Sequence, residues 1–230
     1  MADASAILLV MQNPKTGRDA AHRDWYVTHH LPDVCGVPGV LHGEFLAISD
    51  AAEAPRWRNA AAYWIDGDPA AALGEIFRRA GSGDWVMSDT LDGESMMMAI
   101  GDALTGRVRS EVTPDAQGKD RLVYIVLTNA TVGDDDAFND WYTGTHIPDV
   151  LAVPGFVAAQ RFRLVDHPAL RTYPYRYAAL YEVATDAAET AFAELAARAG
   201  TERMILSPTL DTSGVAAAPF AAVGICAGSA

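Results

Sequence analysis

The stretch WYVTHHLPDVCGVPG, residues 25–39, returns as WYTGTHIPDVLAVPG at residues 141–155. A slide of the sequence against itself by 116 residues aligns Ile7–Val40 with Val123–Phe156 without a gap, and 15 of those 34 pairs are identical. Further on, Arg58–Tyr63 matches Arg176–Tyr181 and Ser88–Asp92 matches Ser207–Asp211. The repeated unit is therefore a whole domain of about 115 residues, too long for a solenoid element. This predicts two tandem domains, 1–112 and 113–230, joined by a linker rich in Thr, Gly, Asp and Pro at 105–120.

Each unit has the same succession of patterns. The apolar runs Ala6–Met11 and Leu122–Leu127 predict buried strands, and Asp19–His30 and Asp135–His146 predict helices that Pro32 and Pro148 should end. Second strands are expected at Val40–Ile48 and Phe156–Leu164, and third strands at Arg58–Ile65 and Arg176–Val183. The Ala-rich segments Pro69–Ala80 and Ala187–Ala199 predict second helices, with fourth strands near Met96–Ala103 and Val215–Val223. The order is βαββαβ, twice. Residues 7–11, Ile-Leu-Leu-Val-Met, are apolar at odd and even positions alike, so that strand must be covered on both faces. The second unit's sheet, packed against the first, is the economical cover.

This order, with Trp-Tyr-x-x-x-His-x-Pro near the end of the first helix followed by Val-Pro-Gly, resembles the dimeric α/β-barrel superfamily and most of all its EthD-like branch. The resemblance covers essentially the whole chain, twice over. It implies an α+β fold of two ferredoxin-like domains packed sheet to sheet as a pseudo-dimeric barrel. It also implies a range of activities: cofactor-free cyclases, isomerases and monooxygenases, haem-binding enzymes, and members without known activity.

Composition narrows the function. A formal charge of -13, split almost evenly between the halves, would repel a phosphate backbone and argues against nucleic acid as a partner. No apolar run approaches the ~20 residues of a membrane helix. Residues 1–12 lack a basic start and a cleavage site, so a cytoplasmic protein without membrane contact is expected. Cys35 and Cys226 stand at unrelated positions and predict packed thiols rather than a disulfide or zinc site. Neither a Gly-rich phosphate loop nor a nucleophile elbow is present.

Chemistry is expected at the repeated motif. Tyr26 and His30, like Tyr142 and His146, are four residues apart and share a helix face. Asp33 and Asp149 follow three residues later, where each could take the Nδ1 proton and leave the imidazole as a general base near neutral pH. Trp25, Trp141, His29, His42, Arg58 and Arg176 are the candidates for holding substrate, by stacking or by pairing with a carboxylate or phenolate. The plainer expectation for the two motif histidines is that they bond their own helix ends. With His29, His30 and His42, the first half carries the richer polar set and is the favoured active site.

The leading expectation is a cofactor-independent lyase, isomerase or cyclase using a histidine base on a small apolar aromatic, phenolic or polyketide-like substrate, with no metal. A haem- or metal-dependent monooxygenase-like enzyme, drawing ligands from His29, His30, Asp33 and His42, is one alternative. A non-catalytic, stress-associated ligand-binding protein is the other. A homodimer of the fused chain is compatible with either.

Overall fold

The computed structural model describes residues 4–49, 56–114 and 120–228. The first half runs through strand β1 (Ala6–Gln12), helix α1 (Asp19–Trp25), a π-helical turn (Tyr26–His30), helix α2 (Leu31–Cys35), strands β2 (Val40–Ile48) and β3 (Asn59–Ile65), helix α3 (Pro69–Ser82) and strand β4 (Met97–Ala103). After a two-residue strand β5 (Val108–Arg109) the same order resumes. It comprises β6 (Arg121–Thr128), α4 (Asp135–Trp141), a second π turn (Tyr142–His146), α5 (Ile147–Leu151), β7 (Phe156–Val165), β8 (Tyr177–Ala184), α6 (Ala188–Arg198) and β9 (Ala216–Ala227). None of the described helices is long and apolar enough to cross a membrane.

The strands are ordered β4-β1-β3-β2-β9-β6-β8-β7, and β7 pairs back onto β4, so the antiparallel sheet closes into an eight-stranded barrel. The halves thus meet at hydrogen-bonded edges, β2 on β9 and β4 on β7, rather than face to face as two open sheets. Closure removes the exposed edges on which another chain could pair. It also explains the doubly apolar β1. Ile7, Leu9 and Met11 fill the barrel interior with Val123, Ile125 and Leu127, whereas Ala6, Leu8 and Val10 lie outside beneath the first-half helices. A third cluster, around Phe138, Tyr142, Val150 and Tyr181, packs the second-half helices onto their strands.

Two expectations about segments need correction. Residues 105–114 are not a free linker, because β5 pairs with Ala158 and Ala159 of β7; residues 115–119 lie outside the described set. Pro32 and Pro148 do not end their helices, which continue to Cys35 and Leu151. The π turn is the reason. A proline inside an α-helix donates no hydrogen bond, and its ring collides with the carbonyl four residues back. Here the turn before each proline is one residue wider: Leu31 N–H donates to Tyr26 O and Ile147 N–H to Tyr142 O.

The motif's closing Val-Pro-Gly delivers the chain from helix to strand. Gly39 and Gly155 take φ values of +87° and +101°, a region that side chains disfavour. Gly43 lets α2 press onto β2, since a Cβ there would stand 2.6 Å from Cys35 Sγ. Cys35 Sγ in turn donates to the carbonyl of Cys226, 3.6 Å away, and both thiols are free.

A chain cut to residues 1–112 would bare the edges of β2 and β4 and the apolar inner face. It is expected to aggregate or to self-pair into a dimer on sedimentation or size-exclusion analysis. A monomeric fragment unfolding cooperatively would contradict the closure described above.

Candidate functional site

The helix of each half lies across the outer face of its sheet, and the π turn sets which side chains face inward. Trp25 and His30 are five residues apart, a spacing that an α-helix would splay; in the wider turn their rings stack at 4.9 Å and 21°. Trp141 and His146 repeat this at 4.9 Å and 30°. Each indole is latched from behind by the loop after the half's last helix: Trp25 Nε1 donates to Val86 O at 2.5 Å and Trp141 Nε1 to Ile205 O at 3.2 Å. The tyrosines sit edge-on to the same imidazoles, 4.9 Å from Tyr26 to His30 and 4.8 Å from Tyr142 to His146. Behind them, Tyr63 Oη donates to Tyr26 Oη at 3.1 Å and Tyr181 Oη to Tyr142 Oη at 3.2 Å.

This apolar enclosure decides the protonation states. Burial lowers His30 to about 4, with nearby His22 adding to the effect, and lowers His146 to about 4, with Arg161 adding to it. Both imidazoles are therefore neutral at physiological pH, and the Nδ1 atom of each is buried without a hydrogen-bond partner. Burial also raises Tyr26 to about 12, against hydrogen bonding with Tyr63 and Gln12, so its phenol keeps its proton.

Asp33 and Asp149 do not hold these histidines, contrary to the sequence expectation. Both carboxylates are only partly buried and are raised somewhat by desolvation; the charges acting on them are His29 and Arg198 respectively. His29 is exposed. His42 is on the wrong side of the sheet: a bulge between Val40 and His42 shifts the alternation of β2, so Phe45 faces the helix while His42 joins Glu44 toward the interior. There His42 Nε2 lies 2.7 Å from Glu44 Oε1. Arg58 and Arg176 act as clamps at the start of each first helix. Arg58 pairs with Asp19 at 2.6 Å and donates to Pro14 O, and Arg176 pairs with Asp135 at 3.0 Å and donates to Ala130 O.

One central residue escaped the sequence reading. His22, fully buried one turn before Tyr26, bonds Thr90 Oγ1 through Nδ1 at 2.9 Å, and Thr90 shares a 2.8 Å bond with Ser88 Oγ. Its Nε2 is buried without a partner, as is Gln12 Nε2. Burial lowers His22 to about 4 against the charge of Asp19. Its counterpart in the second half is Phe138, and the counterpart of Phe45 is Arg161. That mismatch inside an otherwise repeated segment was the available signal.

The residues expected to ligate a haem or metal do not make up such a site. An iron- or zinc-binding histidine normally has its second ring nitrogen held by a partner, which His30 and His146 lack. The proposed ligands His29, His30, Asp33 and His42 do not converge, and no group of three metal-ligating side chains is found among the described residues. A separate cleft of about 360 Å³, lined by Arg56, Trp57, Met96, Arg171, Tyr173 and Tyr175 among others, contains none of the motif residues.

A neutral buried histidine makes folding pH-dependent with a definite sign. Unfolded, His22 would titrate near 6.5; folded, near 4. Its contribution to stability is thus complete above about pH 6.5 and is lost as pH falls toward about 4. His22→Phe, which installs the residue found in the second half, should flatten the fall in melting temperature between pH 7 and pH 4.5. Parallel curves for the two proteins would contradict the lowered value.

The sequence matches no protein-family model, and no curated protein is similar enough to count as a relative. Among solved structures the fold has clear likenesses. An anthrone oxidase-like protein superposes with a TM-score of 0.65 at 12% identity, covering 99% of this chain and 94% of that one. A monooxygenase-like protein from Fusobacterium nucleatum superposes at 0.55 with 11% identity, covering 97% and 95%. A variant of the chlorite dismutase of Candidatus Nitrospira defluvii superposes at 0.53 with 6% identity, covering 96% and 92%. At such identities the likeness is one of fold: the chain shares its barrel architecture with these proteins.

Proposed function

We propose that the first half is an oxygen-using, proton-abstracting site for a small, electron-rich aromatic substrate. The observation that carries this reading is His30, a neutral imidazole with an unpartnered buried nitrogen, stacked on Trp25 and edge-on to Tyr26. Such a group can accept a proton without first losing one, and the aromatic walls suit a flat ligand. His22 supplies a second neutral imidazole in the same enclosure.

The step we assign starts at an activated ring CH₂ beside a carbonyl or phenol. His30 takes one proton; the carbanion, its charge spread onto the oxygen, is met by the phenol of Tyr26, which stays protonated and can donate a hydrogen bond. The carbanion adds to dioxygen, giving a peroxide that takes up the proton from His30 and then loses water to leave a ketone. The balance is CH₂ plus O₂ to C=O plus H₂O, with no outside reductant.

A lyase or isomerase would share the first proton transfer. Two of the structural likenesses, to an anthrone oxidase-like protein and to a monooxygenase-like protein, support oxygen as the next reactant and move the proposal from the lyase or isomerase expected at first toward oxidation.

The test is oxygen uptake with anthrone as the probe substrate. His30→Ala should lower kcat by ~10²–10⁴-fold with the barrel intact by circular dichroism. The pH–rate profile should be level between pH 6 and 8, its ascending limb lying near the lowered value of about 4 rather than near 6.5. Product formation without oxygen uptake would return the site to lyase or isomerase chemistry, and an unchanged kcat with a lower melting temperature would reduce His30 to a structural residue.

A further inference from the structure

We propose that the second half carries a distinct binding site for a small aromatic carboxylate, with Arg161 as its charge receptor. Arg161 stands on β7 where the first half has Phe45, and its side chain is fully buried. Its guanidinium carbon lies 4.1 Å from the ring centre of Tyr142, 5.4 Å from Phe138 and 5.7 Å from Tyr177. Nη1 donates to Thr143 Oγ1 at 2.8 Å and Nη2 to Asn139 Oδ1 at 3.0 Å.

Both of those acceptors are neutral. Among the described residues no carboxylate is paired with Arg161; Asp135, at the start of α4, is engaged by Tyr177 Oη and Arg176, and burial and the charge of Arg163 both oppose the Arg161 cation. A guanidinium taken out of water without a counter-ion is costly, and three aromatic faces compensate it only in part. Arg161 Nε remains buried without a partner, and so does His146 Nδ1, which flanks the same Tyr142 ring.

These groups define the ligand. A carboxylate could accept from Nε, and it supplies the missing negative charge; the stacked Trp141 and His146 rings and the edge of Tyr142 favour an aromatic body behind it. Thr143 is exposed and Asn139 half-buried, so the guanidinium lies a single layer beneath the surface. The first half cannot host the same ligand, because Phe45 stacks on Tyr26 at 4.2 Å in place of the cation. The two halves would then recognise different species, a neutral aromatic in the first and an anionic one in the second.

The experiment titrates the full chain at pH 7 with benzoate and 2-naphthoate, and with benzamide and 2-naphthamide as neutral isosteres, following tryptophan fluorescence and calorimetry. Binding of at least one carboxylate, with its amide much weaker, is expected. Arg161→Gln should weaken that binding by at least about 30-fold, the loss typical of removing one partner of a buried charge pair. Arg161→Lys should retain part of it. His146→Gln, which leaves Arg161 in place, is a second reporter should Arg161→Gln fail to fold, and should weaken binding less. Equal binding of acid and amide, no saturable carboxylate binding, or affinity unchanged in Arg161→Gln would overturn the assignment. None of these readouts requires turnover, so failure here leaves the first-half chemistry to its own test.

Discussion

The arrangement of both candidate sites depends on a proline placed inside a helix. Pro32 and Pro148 forbid a regular α-turn at residues 26–30 and 142–146, and the chain answers with the wider π turn. That extra residue turns the indole and imidazole of each motif into a stacked pair and aims the tyrosine at the sheet, where a second tyrosine receives it. The same enclosure shields most of each imidazole from water and leaves it neutral. Sequence motif, backbone irregularity, aromatic packing and proton affinity are thus consecutive consequences of one steric conflict.

A second constraint operates inside the barrel, where the halves are joined by charge as well as by strand edges. Glu44 of β2 pairs with Arg121 of β6 as well as with His42, and Arg121 reaches Glu182 of β8, which Arg107 binds at 2.7 Å. Although burial pushes both carboxyls up, hydrogen bonds from His42 and Arg107 and the arginine charges outweigh it and hold them below the usual range. Buried pairs of this kind add little net stability, but each fails badly when one member is lost. Their effect here is to make one register of the two sheets far better than its neighbours. His42 is a member of this ladder, which is why it is not available to the helix-side site.

How far the sequence disclosed this can be judged from particular residues. The doubly apolar β1 required two covered faces, and the repeated motif pointed to the helix that carries the site. A barrel was implied only by the resemblance, because the pairing of β2 with β9 and of β4 with β7 that closes it leaves no local pattern. The π turn was missed because spacing arguments assume 3.6 residues per turn, and under that assumption Pro32 reads as a stop. His42 was misplaced by a single bulged residue. His22 and Arg161 looked like ordinary polar residues on a half-buried helix and strand; comparison with Phe138 and Phe45 in the other half would have exposed them.

The central claim is that the motif histidines are neutral bases held in an apolar enclosure. Nitrogen-15 NMR of imidazole-labelled protein, titrated from pH 8 to pH 4.5 with His30→Gln and His22→Phe used for assignment, measures this directly. The account predicts that the His30 and His22 signals keep the shifts of a neutral ring across most of that range, consistent with values of about 4. Protonation of His30 near its ordinary 6.5 in the folded protein would contradict it.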